Sequence, residues 1–121
     1  MENLTPSEVI QFRAECYRIS DGKGVYSLYA DRSDMRRLFT EESFEKHFMA
    51  LAVQTKHAGL KIISETIKGT LAEVKYIEYF HEPDHMLTYY SKTSMIKSDS
   101  GWKIIRELRE IKKHPLEVAA D

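Results

Sequence analysis

One cysteine, three prolines, five glycines and a single tryptophan are spread over 121 residues. A lone Cys16 has no partner for an internal disulfide. With so few prolines and glycines, long stretches are free to form regular elements. No apolar run approaches the ~20 residues of a bilayer crossing. The opening "MENLTPSEV" lacks the charged n-region and apolar h-region of a signal peptide. Charge of one sign is also missing: the formal net charge is −1, with both signs dispersed. That argues against a nucleic-acid binder built on a basic surface and against a polybasic membrane anchor. These absences point to a cytoplasmic protein with neither nucleic acid nor membrane as partner.

What remains is ordinary globular material, 42% apolar and 31% charged. A chain of this length fits one domain and buries roughly two-thirds of its unfolded surface. The expected domain spans residues 1–121, with a core from about 5 to 112 and a loose tail, "HPLEVAAD". "LTPSEV" is a helix start: Thr5 at the N-cap, Pro6 at the first helical position, and Glu8 completing a capping box. Leu4 and Val9 staple it. Val9, Phe12, Cys16 and Ile19 then recur at helical spacing, and Gly22 and Gly24 are expected to end the helix.

"VYSLYA" reads as a short second helix, and "DRSDMRRLF" as a further turn or two. A third helix opens at Thr40, with Phe39 and Phe44 as its staple and Gly59–Leu60 as its expected stop. His47 and His57 are expected on its surface. Past Gly59 the period becomes two. "LKIISETI", "LAEVKYIEYF", "MLTYYSKTSMI" and "WKIIRELREI" are four strands separated by turn residues. The simplest topology is an antiparallel meander preceded by helices, an α+β class.

His81-Glu82-Pro83-Asp84-His85 matches the H-E-x-x-H pattern of zinc proteases. That chemistry needs a helix, where i and i+4 share a face. Pro83 inside a helix would cost about 3 kcal/mol or more. A turn with proline at its second position accounts for the segment better. His81 and His85 facing each other across that hairpin could still hold a metal with Glu82 or Asp84, but two histidines flanking a hydrophilic turn are usually solvated, and no metal site is expected. No cofactor is expected either.

Three helices followed by long strands, with a last hairpin "SDSGWKII", resemble the nuclear transport factor 2-like superfamily. Ketosteroid isomerase, scytalone dehydratase and limonene epoxide hydrolase share that fold. "DGKGVYSLYADRSDMRRLFTEESFEKHF" is similar to the segment where those proteins place a short second helix and enter the third. The resemblance implies a cystatin-like cone, a curved four-stranded sheet wrapped on helices with a pocket at its open end. It also implies a homodimer through the outer sheet face, and, in enzymatic members, carboxylates, histidines or tyrosines as acid–base groups.

Strand alternation then selects pocket candidates. Trp102 and Ile104 point to the helices, and with them Arg106 and Leu108. Val74, Tyr76, Glu78 and Phe80 form a second row, and Leu87, Tyr89, Ser91, Thr93 and Met95 a third. Glu78, Tyr89 and Arg106 are then polar groups on an apolar wall, with Tyr26 and Tyr29 closing the opening. Each also has a plain structural reading, and a one-residue bulge would exchange the faces. Cys16 reads as a core residue, and the charges of "RELREIKK" as a solvated face.

Three functions fit. The first is a binding domain for a small apolar molecule or a partner. The second is a small isomerase, dehydratase or hydrolase with Glu78 as general base and a tyrosine as donor. The third is a dimeric module joined through Ile105, Ile111, Tyr79 and Tyr90.

Overall fold

The computed structural model describes residues 3–115. Four helices come first: α1 (Pro6–Arg18), α2 (Gly22–Ser27), α3 (Asp34–Leu38) and α4 (Glu41–Ala52). Four strands follow: β1 (Lys56–Lys68), β2 (Leu71–His81), β3 (His85–Ser98) and β4 (Gly101–Pro115). The sheet is an antiparallel meander in the order β1-β2-β3-β4. The class is α+β, as the periodicity predicts.

Helix α1 begins as its sequence dictates. The Thr5 hydroxyl accepts from Glu8 N–H at 3.1 Å, and Thr5 N–H donates to the Glu8 carboxylate at 2.9 Å. Losing this cap would cost about 1 kcal/mol. Its buried stripe is Val9, Ile10, Arg13, Ala14 and Cys16, whereas Ile19 is exposed.

Gly22 and Gly24 do not stop α1. They open α2 behind an Asp21 N-cap, where the chain passes close to its neighbours. A Cβ on Gly24 would lie 2.8 Å from Cys16 Sγ, too near for any side chain. Cys16 is buried beneath it, and burial first, then Asp21 and Glu15, push its thiol up to about 11. Such a thiol is inert.

"DRSDMRRLF" forms its own short helix, α3, with Ser33 as N-cap. Helix α4 starts at Thr40 with Phe39 and Phe44 in edge contact, ring centroids 5.9 Å apart. It ends at Ala52, seven residues before the expected stop. Gly59 is instead a strand residue next to a β-bulge, paired with Tyr79. The polypeptide therefore turns to sheet at Lys56.

The sheet's inner rows on β2 and β3 follow the alternation of the sequence: Val74, Tyr76 and Glu78 are buried, as are Ser91, Thr93 and Met95. Val74, Tyr76 and Met95 join Val9, Ile10, Val25 and Ile104 in the core. Beyond α2 the chain is tied to β4: Ala30 N–H donates to the Ile104 carbonyl at 2.7 Å, and Ile104 N–H to the Leu28 carbonyl at 2.8 Å. Residues His81–His85 form the β2–β3 hairpin, Glu82 N–H donating to the His85 carbonyl at 2.8 Å. The zinc-protease pattern thus lies on a turn. His114 and Pro115, expected in the tail, extend β4 opposite Met86 and His85. The rest of that expected tail, residues 116–121, lies outside the described residues.

Candidate functional site

Two bulges decide which side chains meet. On β4, Ser94 pairs with Arg106 but Met95 pairs with Ile104, so Ile105 is an extra residue. Such an insertion flips every later side chain to the other face. Trp102 and Ile104 stay inside. Past Ile105 the inner row becomes Glu107 and Arg109, opposite Thr93 and Ser91. Arg106 is therefore exposed and lines a separate groove with Lys68 and Arg32. The expected place of Arg106 inside the cone is corrected for this reason. Ile111 likewise moves to the side of Tyr89, and Leu108 joins the outer face.

The second bulge is on β1, where the register shifts between His57 and Gly59. It turns His57 inward, opposite Phe80. His57 is not a surface residue of a helix: its side chain is fully buried.

Four charged side chains collect around this inner face. Arg13, fully buried at the centre of the α1 stripe, reaches across the core. Its Nη1 donates to Tyr29 Oη at 2.8 Å and to Glu107 Oε1, and its Nη2 donates to Tyr76 Oη at 2.6 Å. Tyr76 Oη shares a hydrogen bond with Thr93 Oγ1 at 2.7 Å. Glu107 also accepts from Tyr29 Oη at 2.7 Å and from Arg109 Nη2 at 3.0 Å. Burial alone would raise the Glu107 carboxyl, but Arg13 and Arg109, with the bonds from Arg13 and Tyr29, hold it down at about 2. Burial pushes the phenols of Tyr29 and Tyr89 up, and that of Tyr17 up to about 12. All three stay protonated donors at neutral pH.

Glu78 comes from β2 and is 1% exposed. Its Oε1 lies 3.9 Å from Arg13 Nη2, and its Oε2 lies 2.9 Å from His57 Nε2. An ionised carboxylate can only accept, so Nε2 carries a proton. The other ring nitrogen, Nδ1, is buried with no hydrogen-bond partner among the described residues.

Above this polar floor lies a cavity of about 370 Å³. Its walls are largely aromatic and aliphatic, with Phe39, Phe44, Phe48, Phe80 and Leu87 among them. His57, Tyr29, Tyr89, Glu107 and Arg109 supply its polar points. Of the residues expected from sequence, Tyr29 and Tyr89 line this cavity. Glu78 sits behind His57 and does not. Tyr26 packs against Phe44, with its hydroxyl donating to the Phe39 carbonyl at 2.8 Å. Arg106 is outside.

Sequence reading missed Arg13, His57, Glu107 and Arg109. Arg13 left a trace: it stands among Val9, Ile10 and Cys16 on a helix face otherwise apolar. The other three depend on bulges that leave no mark in the pattern. Among the described residues no group of three or more His, Cys, Asp or Glu side chains is placed to hold a metal ion.

No family model matches the chain, and no curated protein does. Solved structures do. A SEC-C motif containing protein from Rhodopseudomonas palustris is 15% identical, with TM-score 0.74, over 89% of this chain and 80% of its own. A proposed scytalone dehydratase from Novosphingobium aromaticivorans is 14% identical, with TM-score 0.65, over 94% and 87%. A nuclear transport factor 2-like protein of unknown function from Pseudomonas putida is 14% identical, with TM-score 0.57, over 85% and 81%. At these identities the likeness is one of fold, and that fold is the cystatin-like cone of nuclear transport factor 2-like proteins.

Proposed function

We propose that this domain binds a small, mainly apolar organic molecule in the mouth of its cone. The observation that carries the reading is an apolar-walled cavity of about 370 Å³ over a floor of fixed polar groups. Ligand pockets are built this way, apolar lining for affinity and a few placed polar groups for orientation. The volume is near the small end of the usual ~300–1,000 Å³, suited to one or two rings. The test is titration with 2-naphthol, followed by methyl NMR of Met35, Leu51 and Leu87. Shifts at these methyls are expected, and they should vanish in Ala52→Trp, which fills the cavity. If the wild-type methyls do not respond up to the solubility of the probe, the reading falls.

The His57–Glu78 pair favours a second reading, an acid–base enzyme. Here Glu78 is not the base that meets substrate. It fixes the His57 tautomer, and Nδ1 of His57 takes the proton. Glu107 is unsuited to that work, since both its oxygens are already hydrogen-bonded and it stays ionised down to about pH 2.

The outer sheet face supports a proposal of its own, pairing with a second copy of the chain. Ile63, Ile77, Tyr90 and Leu108 line an apolar groove there, bordered by Lys75, Lys92 and Glu110. A border of both signs lets two copies related by a two-fold axis match each other's charges. Sedimentation equilibrium should find a dimer that Leu108→Asp dissociates, and the wild-type Tm should rise with protein concentration whereas that of the variant should not. A wild-type monomer at millimolar concentration would exclude the pairing.

A further inference from the structure

Arg109 is the cavity's surplus cation. The lining holds two carboxylates, and each is answered by another positive group. Glu107 has Arg13, and Glu82 has Lys113 at 3.4 Å. Arg109 gives Glu107 one hydrogen bond, at 3.0 Å from Nη2, and among the described residues makes no other. A guanidinium carries five N–H donors in a planar fork. Most of that fork is therefore unused, on a side chain only 29% exposed at the cavity wall. Glu107 is shared with other donors, Oε1 accepting from Arg13 and Oε2 from Tyr29, and Arg109 reaches it through one nitrogen only. The guanidinium carbon is 5.4 Å from the Tyr89 ring centroid, so the aromatic ring helps hold the fork in place.

Resting on the pocket reading above, we infer that the ligand is an aromatic or alicyclic carboxylic acid whose carboxylate docks on Arg109. A planar carboxylate accepts two parallel N–H bonds from such a fork, whereas a neutral amide presents a single acceptor oxygen. The ring system of the same molecule fits among Phe39, Phe44, Phe48 and Phe80. Tyr29, whose hydroxyl is spent on Glu107, packs beside the site without competing for the acid.

The test compares benzoate, 2-naphthoate and 4-biphenylcarboxylate with their primary amides by isothermal titration calorimetry on the wild-type chain. The acid of the best-fitting ring should bind roughly 10- to 100-fold more tightly than its amide, the difference worth one charge-assisted contact. Arg109→Gln should abolish that preference, and Arg109→Lys should keep part of it. Arg106→Gln, outside the cone, should leave it unchanged. Equal affinity of acid and amide overturns the carboxylate assignment while the pocket reading survives. Silence from every member of both series overturns the two together. A preference that persists in Arg109→Gln moves the anion contact elsewhere and also refutes the inference. Should Arg109→Gln not fold, the wild-type acid-to-amide ratio and Arg109→Lys still decide it.

Discussion

Glu78 and Glu107 reach the same buried guanidinium from opposite sides, one from β2 and one from β4, and they are used differently. Glu107 serves three donors. It accepts from Arg13, Arg109 and Tyr29, and its carboxyl is held at about 2. Glu78 keeps Arg13 at the longer distance of 3.9 Å and spends its other oxygen on His57. One carboxylate closes a structural network. The other hands its negative charge to a ring that lines the cavity and has a nitrogen without partner. Two acidic residues buried beside one cation are thus divided between holding the cone together and equipping its mouth.

The sharpest way to break this division is to remove the cation they share. Arg13→Met keeps the length of the stem but deletes the donors to Tyr29, Tyr76 and Glu107. A buried carboxylate stripped of its partner typically costs 3–5 kcal/mol. For a domain of this size that lowers Tm by roughly 10–20 °C, which differential scanning calorimetry would register. A drop of only a degree or two would mean that the network does not bind α1 to the sheet.

Acid should test the Glu107 side of the comparison next. The folded Glu107 carboxyl at about 2 is below its ordinary 4.5. Its contribution is therefore fully present above the ordinary value and is lost as pH falls through that value toward 2. The amount is on the order of 3 kcal/mol. Urea unfolding at pH 6 and pH 3 should show a loss of about 2 kcal/mol in the wild type, the remainder going below pH 3. Glu107→Gln should be less stable at pH 6 and nearly flat across the same interval. An unchanged acid limb in Glu107→Gln would assign the loss to other carboxylates.

How much of this division is written in the sequence depends on the strand. The α1 start was legible because Thr5, Pro6 and Glu8 act within one turn. The inner rows of β2 and β3 were legible because neither strand carries an inserted residue between Val74 and Phe80 or between Leu87 and Ser94. The place of Glu78 on the inner row is legible for that reason. On β4 the same alternation chose Arg106, and the bulge at Ile105 gave the place to Glu107 and Arg109. A bulge depends on how two strands curve against each other, which no local residue pattern records. His57 was lost in the same way, through a bulge on β1 and a helix that ends at Ala52. Arg13 was different. It stands on the buried stripe of α1, but a lone charge on an apolar face has no meaning until its partners, on β2 and β4, are known.

The smallest effect is the one that bears most directly on chemistry. In the neutral ring, the Glu78 carboxylate requires the His57 proton on Nε2, which leaves Nδ1 as a lone-pair acceptor. Glu78→Gln replaces an obligate acceptor with an amide that can also donate, so the constraint disappears. The change in stability should be about 1 kcal/mol, the worth of one charge-assisted bond weakened to a neutral one. The change in the ring should be qualitative. Nitrogen-15 NMR of His57 should report a single Nε2–H tautomer in the wild type and a mixture in Glu78→Gln, while Glu107→Gln leaves the tautomer alone. The two substitutions then separate: the Glu107 change moves the acid limb and spares the His57 tautomer, whereas the Glu78 change scrambles that tautomer. If Glu107→Gln also scrambled the His57 tautomer, the two carboxylates would be one coupled unit through Arg13. The cone's structural network and its mouth could then no longer be treated as separate parts.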